Sequence, residues 1–238
     1  MSPLKDLKIK IFADGANVTE MKKIYSEGIV KGFTTNPTLM KKDGVKDYVE
    51  FAKDVLSEIK NMPISFEVFT DDFDSMERQA EEIASWGDNV YIKIPVTNTK
   101  GEPAYDLIKK LSSAGMKLNV TAILTIDQVE KVSENIHKHT PVIISMFAGR
   151  IADTGRDPIP YVNKSIEILK GLPNAELLWA SSREVLNIFQ AEECGCQIIT
   201  VTNDILKKLV MYDKDLEELS LDTVKMFYND AKSAGYNF

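Results

Sequence analysis

The stretch NVYIKIPVTN (Asn89–Asn98) is predicted to form a short buried β-strand with a lysine at its centre. Its core, residues 90–96, is rich in β-branched and aromatic residues, which favour strands. An amphipathic helical pattern follows at 103–114, and a second strand-like run follows at 117–123. This strand–helix–strand unit indicates the fold class, because it recurs along the chain.

The same alternation extends in both directions from this unit. The predicted strands are residues 9–14, 30–35, 64–69, 90–96, 117–123, 142–147, 176–181 and 197–201. The predicted helices are 18–28, 44–60, 73–86, 103–114, 126–138, 158–170, 183–193 and 203–211, with a last helix at about 215–233. Eight strands that are each followed by a helix predict an α/β fold of the (β/α)8 TIM-barrel type with an extra C-terminal helix.

The alternative architecture is an open, doubly wound sheet. No G-x-G-x-x-G motif follows the first strand, as that fold would favour. No Pro/Gly/Ser-rich linker divides the chain either. We therefore expect one barrel domain over residues 1–238, with 215–238 as a C-terminal helical extension. The last helix packs either on its own barrel or on a neighbouring subunit, and the sequence leaves both open.

Composition narrows the classes of function. The net charge is −7 over 238 residues, which argues against nucleic acid or an anionic membrane as the main partner. No apolar run reaches the ~18 residues of a membrane span, and the N-terminus lacks the apolar region of a secretory signal. Cys194 and Cys196 form a CxC pair with no second pair to complete a metal site. We expect a cytoplasmic protein with ordinary buried thiols and no metal.

Polar residues recur where a barrel keeps its functional side chains, at the carboxyl ends of the strands. Side chains alternate along a strand, so Lys93 faces inward when Ile92 and Ile94 face the helices. The same alternation turns Asn119 and Thr121 inward, with Ala122 outward. The inward polar set over all strands is Asp14, Glu67, Lys93, Asn119, Thr121 and Ser145.

A lysine inside a barrel suggests amine chemistry. Apolar surroundings remove the hydration of a charged amine and lower its pKa toward neutrality. A neutral amine condenses with a ketone or aldehyde to give a Schiff base. Asp14 and Glu67 are the candidates to move protons in that reaction. The alternative is structural, namely that Lys93 forms an ion pair with Glu67 or extends its ammonium out of the strand end.

Further candidates lie in the loops. Asn36, in TTNPT, is either a ligand for substrate hydroxyls or a turn residue before Pro37. Arg150 and Arg183 follow the sixth and seventh strands, where barrels often bind phosphate, and Ser181 can add a hydrogen-bond donor there. The alternative for the arginines is surface ion pairs with Asp153 and Glu184.

Several motifs resemble the transaldolase family, lysine-dependent barrels, and specifically its small members related to fructose-6-phosphate aldolase. The resemblance covers roughly residues 9–210, and TTNPT and KIPVT are its most specific motifs. It runs through FADGANVTEM, GIVKGFTTNPTLM, FEVF, VYIKIPVT, LNVTAILT, ISMFAGRI, ASSREV and CGCQIITVTNDIL.

The resemblance implies a role for each residue. Lys93 would form the Schiff base, and Asp14 would be the acid and base of carbon–carbon cleavage. Glu67 and Thr121 would hold a catalytic water. The implied substrate ligands are Asn36, Asn119, Ser145, Phe147, Ser181, Arg150 and Arg183, with the two arginines on phosphate.

The resemblance also implies an activity. Transaldolases have Glu and Phe where fructose-6-phosphate aldolases have Gln and Tyr, and this chain has Glu67 and Phe147. The implied enzyme is a transferase of carbohydrate metabolism, in the pentose phosphate pathway, that moves a dihydroxyacetone unit between sugar phosphates. It would need no cofactor and would form a homo-oligomer, a pentamer or a decamer.

The sequence also departs from the family pattern. Gly15 replaces the Thr of DTAN, and Met146 replaces the Pro of SPFVGR. Ser182 stands where a bulkier residue is common, and TVTNDIL is more polar than usual. An aldolase or a transaldolase for a modified sugar therefore stays open, as does an inactive barrel that binds sugar phosphates.

Overall fold

Eight parallel strands close into a barrel in chain order, which confirms the predicted (β/α)8 fold. The structure, a computed structural model, describes residues 7–236. The strands are β1 (Lys10–Asp14), β2 (Gly32–Thr34), β3 (Ile64–Glu67), β4 (Val90–Pro95), β5 (Leu118–Ile123), β6 (Val142–Met146), β7 (Ala175–Trp179) and β8 (Ile198–Thr202). Each observed strand coincides with a predicted one to within a few residues at its ends.

Helices follow the strands along the chain, and several of them begin at a polar side chain. They are α1 (Val18–Glu27), α2 (Pro37–Lys42), α3 (Tyr48–Glu58), α4 (Phe73–Ala84), α5 (Tyr105–Ser113), α6 (Ile126–Asn135), α7 (Ala148–Asp153), α8 (Ile159–Leu169), α9 (Leu186–Cys194), α10 (Asn203–Lys208) and α11 (Leu216–Ser233). Asn17, Asp47 and Thr125 accept a backbone N–H at the starts of α1, α3 and α6. Such caps satisfy N–H groups that a helix start leaves unpaired.

Two short helices were not predicted. The six residues of α2 occupy what we interpreted as a turn, and the helix expected over 44–60 is shortened to α3. The six residues of α7 follow β6 directly. Both helices lie at the carboxyl ends of strands, so they bring Asn36 and Arg150 to the barrel mouth.

The barrel interior is closed below the mouth by an apolar layer. Its buried residues are Phe12, Ile143, Leu178, Ala180 and Ile198, with Tyr91 and Phe147 packed against them. Outward-facing strand residues such as Phe66, Ile92 and Ile94 are at most 1% exposed beneath the helices. Polar lumen residues above this layer are therefore reached from the mouth of the barrel.

One strand departs from simple alternation. The pairing of β5 with β6 shifts register between Val120 and Ile123, and Ala122 has a φ of 61°. This irregularity turns Ala122 toward the cavity at the barrel mouth. The prediction that Ala122 faces the helices is therefore wrong, because a bulge resets the two-residue period.

The chain divides into two compact units, Met1–Leu206 and Lys207–Phe238. The second contains a turn of 3-10 helix (Leu209–Met211) and α11, whose first N–H groups are capped by the Asp215 side chain. Many large apolar side chains of this unit are exposed, among them Leu216, Val224 and Phe227. Within residues 7–236, no helix is long and apolar enough to cross a membrane.

Candidate active site

A cavity of about 530 Å³ opens at the carboxyl ends of the strands. All the predicted site residues line it, namely Asp14, Asn36, Glu67, Lys93, Asn119, Thr121, Ser145, Phe147, Arg150, Ser181 and Arg183. The alternation of side chains along β3 to β6, together with the parallel register, brings these residues to one place. Glu67 is the register partner of Lys93, which in turn pairs with Asn119.

Lys93 is buried in the cavity, at 7% exposure. Its Nζ lies 2.9 Å from Glu67 Oε2 and donates to the Thr35 carbonyl oxygen at 2.8 Å. The ion-pair alternative considered for Lys93 is thus present in the structure. It does not exclude the nucleophilic role, because a carboxylate at this distance can take the proton that an ammonium must lose.

Asp14 is the second carboxyl group in the cavity. The Thr34 hydroxyl donates to Asp14 Oδ1 at 2.8 Å, and the Asn36 amide lies 3.3–3.4 Å from both carboxylate oxygens. Burial raises the pKa of Asp14, against the opposing effects of the Lys93 charge and these hydrogen bonds. A carboxyl group with a raised pKa is suited to both releasing and accepting a proton.

Asn36 uses both ends of its amide. Its Oδ1 accepts from Leu39 N at 2.9 Å and so caps α2, while its Nδ2 points toward Asp14. The turn role and the site role considered for this residue therefore occur together. Because the oxygen is committed to the cap, the amide can present only its N–H groups to the cavity.

Three polar side chains cross the floor of the cavity on β3, β5 and β6. Ser145 Oγ donates to Asn119 Oδ1 at 2.6 Å, and Asn119 Nδ2 donates to Ser65 Oγ at 3.0 Å. Thr121 Oγ1 is buried and has no hydrogen-bond partner within the described part of the chain. A buried hydroxyl in that condition is a ready site for a water or a substrate hydroxyl.

The two arginines differ in their surroundings. Arg183 Nε donates to Asp153 Oδ1 at 3.0 Å, and its Nη2 pairs with the other carboxylate oxygen. Its Nη1 donates to the carbonyl and hydroxyl oxygens of Ser181, at 2.9 and 3.0 Å. Arg150 lies over the Phe147 ring, 5.7 Å from its centroid. The surface-pair alternative thus holds for Arg183, with Asp153 as the partner.

Sequence reasoning missed two hydroxyls in the cavity, those of Thr34 and Thr200. They lie 2.6 Å apart, and Thr34 bridges to Asp14. Both are mouth-facing residues near a strand end, so the alternation rule could have identified them. The Thr35 carbonyl that binds Lys93 carries no side-chain signal and could not be found in this way.

The two cysteines do not line the cavity, and the described residues form no metal site. Within residues 7–236, no group of three or more His, Cys, Asp or Glu side chains could hold a metal ion. Cys194 and Cys196 are not joined in a disulfide. Burial raises the pKa of the Cys196 thiol to about 12, so the thiol stays neutral and unreactive.

The fold and the cavity define a (β/α)8 barrel with a lysine and two carboxyl groups in its mouth. The chain belongs to the transaldolase/fructose-6-phosphate aldolase family, whose model matches residues 11–238.

Relatives named as probable transaldolases support the assignment to this family. A probable transaldolase of Thermoanaerobacter sp. (strain X514) is 32% identical over 228 residues, which cover 95% of this chain and 99% of the relative. A probable transaldolase of Caldicellulosiruptor saccharolyticus is 34% identical over 206 residues, which cover 86% of this chain and 90% of the relative. The crystal structure of KGPDC from Streptococcus mutans matches with a TM-score of 0.57 at 12% identity, covering 85% of this chain and 91% of that one. This last match shows likeness of fold alone.

Proposed function

We propose that the protein is a transaldolase that moves a dihydroxyacetone unit from a ketose phosphate to an aldose phosphate through a Schiff base on Lys93. The observation that carries the proposal is the position of Lys93. Its amine is buried in the barrel mouth, 2.9 Å from Glu67, in a cavity that also contains Asp14. No other lysine lines this cavity among the described residues.

The first step forms the covalent bond. The Lys93 ammonium gives a proton to Glu67, and the neutral amine then attacks the ketone carbon of the donor sugar. The carbinolamine hydroxyl takes the proton back from Glu67 and leaves as water, and a protonated imine remains. Thr121 Oγ1 supports a water at this point, because it is buried and lacks a partner among residues 7–236.

The second step breaks the bond between the third and fourth carbons of the sugar. Asp14 takes the proton of the hydroxyl on the fourth carbon, an aldehyde leaves, and the bonding electrons move into the protonated imine to give an enamine. The enamine then adds to the carbonyl of an acceptor aldose, and Asp14 returns the proton. Hydrolysis of the new imine releases the product and restores Lys93.

Substrate hydroxyls and phosphate need partners of different kinds. We assign the hydroxyls of the three-carbon unit to Asn36, Asn119 and Ser145, whose side chains are held by hydrogen bonds at fixed positions. We assign the phosphate to Arg150, Arg183 and Ser181, because planar guanidinium groups bind phosphate oxygens in pairs. Phe147 closes the cavity beneath Arg150.

Trapping with borohydride tests the proposal. The protein is reduced in the presence of fructose 6-phosphate, and its tryptic peptides are weighed. We expect a three-carbon or six-carbon adduct on the peptide that contains Lys93, and none in Lys93→Arg, whose turnover should fall by about 10³-fold or more. Lys100→Arg is the matched control, since Lys100 does not line the cavity. Absence of an adduct with every ketose tried would contradict the proposal and favour an inactive barrel that binds sugar phosphates.

Adding an acceptor sugar distinguishes transaldolase activity from simple aldol cleavage. We expect little free dihydroxyacetone from fructose 6-phosphate alone, and rapid formation of a new ketose phosphate when an aldose phosphate is added. Release of dihydroxyacetone at the same rate with and without acceptor would assign the protein to the aldolase branch instead.

A second candidate function is action on a modified sugar. A Cβ built on Gly15, next to Asp14, would meet only Asn203 Nδ2, at 3.9 Å, so there is space beside the acid–base residue. The family pattern has Thr at position 15 and apolar residues near position 203. A panel of deoxy, amino and branched ketoses, compared in wild type and Gly15→Thr, tests this candidate. A preference for one of them that Gly15→Thr removes would support it.

We also propose that the chain forms a homo-oligomer, a pentamer or a decamer, in the cytoplasm. Leu216, Val224 and Phe227 of α11 are 60–77% exposed, which is unusual for large apolar side chains of one helix. Two thiols without a disulfide suit a reducing compartment. Light scattering behind gel filtration measures the assembly, and Phe227→Glu should reduce its mass. A monomer in wild type would contradict the assembly.

A further inference from the structure

The hydrogen-bond ladder between β2 and β3 runs into a proline at the barrel mouth. Thr35 N donates to the Ser65 carbonyl oxygen at 3.1 Å. Bonds from one strand of a parallel ladder recur at every second residue. The next donor would be residue 37 and the next acceptor the Glu67 carbonyl. Pro37 has no N–H, so the ladder cannot supply this bond.

A tyrosine hydroxyl supplies the bond instead. Tyr48 Oη donates to the Glu67 carbonyl oxygen at 3.0 Å. A backbone carbonyl left without a donor in a partly buried position is costly. The phenol of Tyr48 thus satisfies a carbonyl that lies beyond the end of the ladder, and it ties the start of α3 to the last residue of β3.

The ring of Tyr48 is held on several sides. It makes edge-to-face contacts with Phe66, Phe69 and Trp86, at centroid distances of 6.2, 5.3 and 5.5 Å. Such contacts fix the orientation of an aromatic ring. Burial also raises the pKa of the Tyr48 phenol, so that it remains a neutral donor. The ring contacts therefore hold the Tyr48 hydroxyl in a fixed position.

Lys93 has two acceptors, and Tyr48 holds the backbone of one of them. Glu67 provides the carboxylate at 2.9 Å, and Thr35 provides the carbonyl oxygen at 2.8 Å. The Thr35 hydroxyl donates to the Ser65 carbonyl oxygen at 2.8 Å, so Thr35 is bonded to the same strand, β3, that ends at Glu67. The Tyr48 hydroxyl thus contacts Glu67, which binds the Lys93 amine, although it does not reach the amine itself.

We propose that Tyr48 is a positioning residue for Lys93, acting through Glu67. Its hydroxyl keeps the Glu67 carboxylate at the distance at which it holds the ammonium and accepts its proton. The catalytic part of this proposal rests on the proposed function, whereas the effect on the amine itself does not.

The reactivity of Lys93 in the absence of sugar tests the proposal. Tyr48→Phe keeps the ring and removes the donor, and Tyr161→Phe, on α8 and outside the cavity lining, is the matched control. Each protein is acetylated with acetic anhydride at one pH, and the rate of labelling of the Lys93 peptide is quantified by mass. A Glu67 carboxylate that is less well positioned holds the ammonium less firmly, so the Lys93 peptide of Tyr48→Phe should be labelled about threefold faster than that of wild type.

Steady-state kinetics supply the second readout. We expect kcat of Tyr48→Phe to fall about fivefold to tenfold with KM changed less than twofold, while Tyr161→Phe matches wild type. An unchanged labelling rate in folded Tyr48→Phe would overturn the proposal, whatever the kinetics. A changed labelling rate in a protein that forms no sugar adduct would support the positioning role and remove only the proposed function.

Discussion

Gly149 lies against the Ser181 carbonyl oxygen so closely that a Cβ on the glycine would be 1.6 Å from it. Ser181 itself has a φ of 62°, and its carbonyl and hydroxyl oxygens both accept from Arg183 Nη1. The absence of a side chain at position 149 thus lets the loop after β7 approach α7. This contact sets where Arg183 lies at the rim of the cavity.

Gly149→Ala should damage phosphate binding more than chemistry. The methyl group must push the Ser181 carbonyl away, which we expect to destabilise the fold by about 1–3 kcal/mol. The displaced Arg183 should raise KM for sugar phosphates several-fold, with a smaller effect on unphosphorylated acceptors. Gly171→Ala is the control, because a Cβ there would meet nothing within 4 Å. Equal losses for phosphorylated and unphosphorylated acceptors would contradict this interpretation.

Asp153→Asn should strengthen phosphate binding. The Asp153 carboxylate occupies one edge of the Arg183 guanidinium and competes with phosphate for it. The pair is about half exposed, so releasing it should lower KM by at most about fivefold. The measurement is KM for fructose 6-phosphate, with Asp127→Asn, at an exposed position of α6, as control for the charge change. A rise in KM would show that Asp153 orients Arg183 and does not compete with phosphate.

Asn36→Asp should move the acidic limb of the pH–rate profile. Aspartate can still cap α2, but it places a second carboxylate beside Asp14, where the Asn36 amide now lies 3.3–3.4 Å away. Like charges raise the pKa of Asp14 further, so the rise in activity with pH should occur at higher pH. The control is Asp47→Asn, which exchanges the same two residue types at the cap of α3. An unmoved acidic limb in Asn36→Asp would show that the ionisation of Asp14 does not govern the rate.

Asp14→Asn should stabilise the protein at neutral pH while removing its activity. Burial raises the pKa of Asp14 in the folded state, so the folded protein binds this proton more tightly than the unfolded chain does. Stability from this group is therefore present at low pH and is lost as the pH rises through the raised pKa. Asparagine carries no such charge, so we expect a gain of about 1 kcal/mol near pH 8 and a smaller gain near pH 4.

Thermal unfolding of wild type and Asp14→Asn at the two pH values measures this difference. Asp54→Asn, exposed on α3, is the control for loss of one charge. A larger gain at pH 4 than at pH 8 would contradict the assigned direction of the shift.

The barrel could be predicted from the sequence because two signals identify each strand. Runs such as VYIKIPV have strand-forming composition, and a stretch with helical periodicity separates each run from the next, so eight strands could be counted. Short helices could not be predicted in this way. The six residues of α2 and of α7 are too few to show a period, and α2 depends on a single cap, Asn36.

The candidate site was predictable where a side chain follows alternation from a regular strand. Lys93, Glu67 and Asn119 are of this kind, and they lie on adjacent strands in register. The predicted orientation of Ala122 was wrong because a bulge interrupts the two-residue period. The other partner of Lys93 is the backbone carbonyl of Thr35, just after β2, and Tyr48 contacts Glu67 from a helix. Neither leaves a mark in the strand pattern.

The double use of Asn36 has a consequence for how this barrel can evolve. One amide group supports the first turn of α2 and faces Asp14, so a replacement that cannot cap a helix alters folding and the surroundings of Asp14 together. Only a few residue types at this position can therefore change one trait without the other. New substrate preferences should arise first at neighbours without that double duty, and Gly15, with open space beside Asp14, is such a neighbour.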